Sequence, residues 1–270
     1  MKKTMSVVSF VISLVVLPLT SNAKFLFDLN AGTGSWINPT VSGKVGGDAN
    51  IDMHSSDNGF AYKDDSLGYY VWADFDTIVP LVPSFRVKYQ QLAYAGTGEI
   101  NAGLTGKISS IDLSELSGTV TSELELNYLD VIVKFGLPLP IVDINFGVNA
   151  RITQMYFRAK AANLPALEAN QLLVMPMGYL SASAKIPVIG IEVGGEYSTL
   201  PLAGIEILDT NIYARYFFPL PSNLLFKVGI EASYHEYHLG ISESELLPFL
   251  NDVQSDIDFK GYSVGITAKF

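Results

Sequence analysis

Every second residue from Val142 to Ile152 is apolar. Val142, Ile144, Phe146, Val148, Ala150 and Ile152 share one face of an extended chain, and Asp143, Asn145, Gly147, Asn149, Arg151 and Thr153 share the other. Side chains alternate across a strand but repeat every 3.6 residues around a helix, so this run has one solution: a strand with an oily face and a polar face. It also exceeds the typical strand of about five to six residues. The same period of two runs through Phe25 to Ala31, Tyr69 to Asp76, Phe85 to Gln90, Leu180 to Ile186, Ile191 to Ser198, Asn211 to Phe218, Phe226 to Tyr234 and Tyr262 to Phe270. A tenth run, Ser122 to Phe135, is less regular. Leu129, Val131, Val133 and Phe135 keep one face, while Leu124 and Leu126 fall on the other. Either a bulge near Asn127 or a strand continuing above a membrane explains the change.

The connections alternate in length. Ile78 to Ser84, Gly136 to Pro140, Pro187 to Gly190 and Pro219 to Asn223 are short. Ile37 to Leu67, Tyr94 to Thr121, Arg158 to Gln171, Thr199 to Asp209 and Leu239 to Ser255 are long. Short turns at one end and long loops at the other is the arrangement of an outer-membrane barrel, with short periplasmic turns and long external loops. The expected fold is a single all-β, antiparallel transmembrane barrel of about ten strands, with eight or twelve as the alternatives. Phe75, Phe85, Phe135, Phe218, Phe226 and Phe270, near strand ends, suit an interfacial girdle. A soluble sandwich or lipocalin-like barrel has the same alternation. Its polar face would meet water, yet the polar faces here are thin in charge and rich in Gly, Ser and Asn.

The amino terminus fits export to that membrane. Lys2 and Lys3 precede a mostly apolar run from Met5 to Leu19, and Ser21-Asn22-Ala23 has the small-x-small form of a cleavage site, so residues 1–23 read as a cleaved signal peptide and 24–270 as the barrel. The chain has no Cys, which excludes a disulfide scaffold, and 49% apolar residues exclude disorder. A net charge of −10 argues against a nucleic-acid partner, which needs a basic face.

The polar faces define the lumen. They carry eight acids, Asp28, Asp74, Asp76, Asp130, Asp143, Glu192, Glu196 and Glu231, and eight bases, Arg86, Lys88, Lys134, Arg151, Lys185, Arg215, Lys227 and Lys269. Charges in a narrow lumen are costly unless paired, so the balance predicts an internal salt-bridge network. Ten strands enclose little more than the eight-stranded barrels that side chains fill. A filled or narrow lumen with a structural or surface role is therefore the first reading, and a small-solute pore the second.

Chemistry is poorly represented. The His residues are His54, His235 and His238. His235 and His238 sit on opposite faces of one strand, which disfavours a shared metal. Ten-stranded outer-membrane proteases of the omptin type use carboxylates with a His–Asp pair at the rim. Here His235 faces the mouth and Asp209 tops the neighbouring strand, but the omptin motifs are absent, as is any G-x-S-x-G run. A rim-sited hydrolase is the third reading, and no enzyme activity, cofactor or metal is expected. The surplus acids fall in the long loops: Asp48, Asp52, Asp57, Asp64 and Asp65 in the first, Glu99, Asp112 and Glu115 in the second, and Glu243, Glu245 and Asp252 in the last. Their spacing does not make an EF-hand loop, so they read as a solvated surface facing outer-membrane lipid and lipopolysaccharide. The apolar run Leu246 to Leu250 reads as a cap on the barrel mouth.

Two further stretches carry resemblances. Tyr262-x-Val264-x-Ile266-x-Ala268-x-Phe270 looks like the C-terminal β-signal read by the outer-membrane assembly machinery, which makes that machinery an expected partner. Leu67-Gly68-x-Tyr70, then Val79-Pro80-Leu81-Val82-Pro83-Ser84-Phe85-Arg86-Val87-Lys88-Tyr89, then Gly96-Thr97-Gly98, resemble a family of small Gram-negative outer-membrane β-barrel proteins. Members often occur in bacteria with the GlyGly-CTERM sorting system. That resemblance implies fold and location and brings no activity with it.

Overall fold

The computed structural model describes residues 27–270 except 47–49, 64–65, 78, 80–81, 103–106, 109–110, 113–115, 140, 162–163, 187, 203, 220–225 and 243–254. Ten long strands make up the wall: β1 Phe27–Val45, β2 Leu67–Thr77, β3 Ser84–Ile100, β4 Gly118–Pro138, β5 Val142–Ala161, β6 Leu167–Ile186, β7 Ile191–Leu202, β8 Ile205–Phe217, β9 Lys227–Ile241 and β10 Ser255–Lys269. Each pairs antiparallel with its neighbours in sequence, and β10 closes the sheet on β1, with Ala31 opposite Ala268 and Val45 opposite Ser255. Closure gives the backbone of both terminal strands a partner, which an open sheet in lipid would lack.

The strands run further than the first-found periodicity. β4, β5 and β6 have 21, 20 and 20 residues, whereas about 9–11 tilted residues cross a bilayer. The expected long loop Thr199 to Asp209 is a tight hairpin between Leu202 and Ile205, and Arg158 to Gln171 shortens to the stretch between Ala161 and Leu167. The signal-peptide residues 1–23, the run Leu246 to Leu250 and the loop acids Asp48, Asp64, Asp65, Glu115, Glu243, Glu245 and Asp252 lie outside the described residues.

The extra length has its own logic. In the lower half of the barrel the outward residues are apolar, as at Phe146, Leu180, Ile230, Val264 and Ile266, all at least half exposed. In the upper half the apolar residues point inward. Leu124, Leu126, Phe157, Ile207, Tyr237, Leu239 and Phe259 are buried there, and the outside carries ion pairs such as Arg158–Glu168 and Lys260–Glu236. A strand in lipid must be apolar outside, and a strand in water must be apolar inside. Outward Tyr69, Tyr89, Tyr197, Tyr234 and Tyr262 lie between the two regimes, and two adjacent pairs of them, Tyr69–Tyr89 and Tyr234–Tyr262, have ring centroids 6.0 and 5.2 Å apart. Aromatic girdles mark membrane interfaces.

The inversion resolves the irregular β4. Its inward series Leu124, Leu126, Tyr128, Asp130, Ile132, Lys134 never changes parity, and its pairing with β3 and β5 has no bulge. The strand simply passes out of the membrane. β1 does carry a bulge, between Ile37 and Thr40. The extra residue switches the inward set from Trp36 to Val41 and Val45, and Asn38 takes φ 47°, a conformation Asn tolerates better than most.

The lipid placement gives a depth-dependent expectation. Ile266→Arg, on the outer face below the tyrosines, should cost about 2–4 kcal/mol, and Gln154→Arg, above them, about 0–1 kcal/mol. Reversible guanidinium unfolding from lipid vesicles measures both; equal costs would refute the assigned boundary.

The first external loop folds back into the barrel. β2 ends low, at Leu67 opposite Ala93, and leaves a notch between the upper parts of β1 and β3. Residues 51–62 fill it. Asp52 accepts hydrogen bonds from the N–H groups of His54 and Ser55 at 2.7 and 2.8 Å, setting a tight turn. Ile51, Met53, Phe60 and Tyr62 are buried, and Phe60 meets Phe157 edge-on at 5.2 Å. Burial pushes the Tyr62 phenol pKa up. The plug sits on Gly96 and Gly98: a Cβ there would come within 2.2 Å of the Phe60 carbonyl oxygen and 2.1 Å of the Gly59 one. The Gly96-Thr97-Gly98 motif thus has a physical reason, the close approach of two backbones.

Candidate functional site

The lumen is stacked in layers, each built by inward positions of several strands. At the periplasmic end lies a vestibule of about 610 Å³, lined among others by Asp28, Asp76, Asp143, Asn145, Lys185 and Lys269. Lys185 is paired with Asp143 across β5–β6. Lys134 forms the roof, bonded to Asp74 at 2.7 Å and Asp76 at 3.0 Å.

Above it two guanidinium groups hold four carboxylates. Arg86 bridges Asp74 at 2.8 Å and Glu196 at 2.7 Å. Arg215 bridges Glu192 at 2.9 Å and Glu231 at 2.6 Å, and Tyr70 donates its hydroxyl to Glu231 at 2.8 Å. The Trp72 ring lies between the two cations, 4.8 Å from the Arg86 carbon and 4.4 Å from that of Arg215. Small residues make this possible: a Cβ on Gly32 would meet the Trp72 ring at 2.7 Å.

The third layer centres on Arg151, which is 1% exposed. Its Nε and Nη2 donate to the two oxygens of Asp130 at 2.7 and 2.8 Å, a bidentate pair, and Nη2 also reaches Asp209 at 2.5 Å. The guanidinium rests on Tyr128 at 4.1 Å and Tyr237 at 5.0 Å. Asn149 donates to Asp130 at 3.0 Å. On the far side of Asp209 the His235 Nε2 lies 2.8 Å away, and the imidazole packs against Trp36 at 5.0 Å. The apolar upper core closes over this layer.

Of the sixteen lumen charges read from the sequence, Asp74, Asp76, Arg86, Asp130, Lys134, Asp143, Arg151, Lys185, Glu192, Glu196, Arg215 and Glu231 stand in ion pairs. Lys88 is buried beside them without a carboxylate within 4.0 Å among the described residues. Asp28 and Lys269 are half-buried in the vestibule wall, and Lys227 is exposed at the lower end of β9. The sequence reading missed two members, Asp209 and His235. It placed the pair at the rim, whereas His235 is 2% exposed inside the barrel and Asp209 is shared with Arg151. The parity of β8 carries the missing signal, because Ile205, Ile207, Asp209, Asn211, Tyr213 and Arg215 form one inward series. His238 does point away from His235, and its Nδ1 lies 3.1 Å from Asp258.

No family model matches the chain, and neither does any curated protein. Among solved structures it is similar to the outer membrane protease OmpT of Escherichia coli, with a TM-score of 0.49 and 11% identity over 91% of this chain and 97% of that one. It is similar to Ail, the attachment invasion locus protein of Yersinia pestis, with a TM-score of 0.34 and 8% identity over 91% and 98% of the two chains. A FadL homologue of Pseudomonas aeruginosa gives 0.30 and 8% over 91% and 90%. All three are outer-membrane β-barrel proteins. At these identities the likeness is one of architecture.

Proposed function

We propose that this chain is an integral outer-membrane barrel with a structural or surface role and a lumen that does not conduct. Arg151 carries the reading: it is 1% exposed in the middle of the lumen, bonded on both sides, with the plug residue Phe60 at 0% in the apolar core above. A layer packed in this way supports a lumen closed to water and ions, and wide aqueous channels belong to larger barrels. The apolar belt, the tyrosine girdle and the C-terminal strand support outer-membrane placement after signal-peptide cleavage, with lipid, lipopolysaccharide and the assembly machinery as partners. The stretch Leu67 to Gly98 supports membership of the small Gram-negative barrel family it resembles. The buried His235–Asp209 pair does not support a hydrolase, because a general base must reach its substrate. The test is single-channel conductance in a planar bilayer. The refolded protein should insert silently; stable openings that change on neutralising Glu196 would replace this reading with the small-solute pore.

A further inference from the structure

The barrel wall has a second break, and residues 51–62 do not fill it. β6 and β7 pair from Ile186 opposite Ile191 up to Gly178 opposite Thr199, and there the pairing stops. Yet β6 continues to Leu167 and β7 to Leu202. β5 follows β6 to that end, with Ala159 opposite Leu167, and β8 follows β7 to its tip, with Ile205 opposite Leu202. The upper wall is therefore split between β6 and β7. Each lip carries a proline, Pro176 and Pro201, with no N–H to give to a ladder.

From Leu172 to Gly178 both faces of the β6 lip are apolar. Outside, the lipid-facing belt climbs it. Leu180 sits opposite the girdle residue Tyr197, and above it come Gly178, Pro176, Val174 and Leu172. Val174 and Leu172 are 66% and 67% exposed. The outer face of β5 has already turned polar at that height, since the partner of Leu172 is Gln154. Inside the lip, Met175 and Met177 are buried, while Leu173, Leu200 of β7 and Met155 of β5 pack on the core but stay partly open. Methionine adapts its shape to irregular apolar partners.

We propose that the split is a lateral slot that takes an acyl chain of an outer-leaflet lipid, entering from the belt at Leu180 and lying against Leu173, Met175 and Leu200. The proposal rests on the membrane placement given above. Continuity with the belt selects this occupant: on β6 the exposed apolar residues Val174 and Leu172 carry the lipid-facing surface past the level of Tyr197 and along the edge of the split. A second copy adding a strand to the lip would need an unbroken ladder, which Pro176 interrupts. The short strand at Ile111–Asp112 lies against β6, so cover by the chain's own loops is the competing arrangement.

The test is photolabelling in phospholipid vesicles doped with a phosphatidylcholine whose acyl chain ends in a diazirine, with adducts mapped by mass spectrometry. Adducts are expected on outward Leu180 and Ile266 and also on inward Met155, Leu173 and Met175. Met175→Trp should fill the slot and remove the inward adducts while the outward ones persist. Leu173→Phe serves the same purpose if that variant does not fold, and heat-modifiable gel migration reports folding. Adducts confined to outward residues would overturn the slot and leave the membrane placement standing. Absence of adducts on the belt as well would overturn both.

Discussion

Replacing Arg151 with methionine should destabilise the refolded barrel by about 3–5 kcal/mol, the usual cost of removing one partner of a buried ion pair. The guanidinium satisfies both oxygens of Asp130 and one of Asp209 while shielded from water by Tyr128 and Tyr237. Methionine keeps much of the volume and removes all of the charge, so two carboxylates are left close together and dry. Adding Asp130→Asn and Asp209→Asn should recover most of the loss, because neutral amides need no cation and the amide oxygen at 209 still accepts from His235. Guanidinium unfolding in vesicles reads both variants. A single mutant with an unchanged midpoint would mean the layer is hydrated and the lumen open to water.

Phe60→Ala should have an effect of similar size, about 3–5 kcal/mol for a buried aromatic truncated to a methyl. Its consequence is local. Phe60 belongs to a loop and holds residues 51–62 in the notch above β2 by packing on Phe157. Losing that contact should undock the plug while the ten strands stay paired. Hydrogen exchange identifies the event: the amides of Gly59, Phe60 and Tyr62, which donate to the carbonyls of Glu99, Asp52 and Met53 at 3.1, 2.9 and 3.0 Å, should lose protection. Retained protection there, with a lower barrel midpoint, would show that plug and wall unfold as one unit.

Much of this molecule is legible in the sequence because one rule, alternation, governs every strand. The ten strands, their order and the inward set from Asp74 to Glu231 follow from it. The upper half does not. Its alternation is just as strict, but the oily residues change sides, so Leu124 and Leu126 read equally as a bulge near Asn127 or as a strand leaving the membrane, and Ile205 and Ile207 read as a loop. Counting parity without regard to polarity keeps Asp209 and His235 in the inward series. The plug is legible in neither way, because Ile51, Phe60 and Tyr62 have no period. Its trace is the Gly-x-Gly on β3 that makes room for it. The split between β6 and β7 likewise depends on where two strands stop pairing, a property of register that alternation does not encode.

The inversion also sets a height. β4, β5 and β6 carry roughly ten residues beyond those a bilayer requires, which at about 3.3 Å each along a tilted strand lifts their tips about 25 Å above the lipid surface. A barrel cut off at the tyrosines would leave its loops lying among sugar-phosphate headgroups. Here a rigid collar, packed inside like a water-soluble protein, carries the hairpin tips through that layer. What a phage, an antibody or a neighbouring cell first meets is the rim of that collar and not the membrane from which it rises.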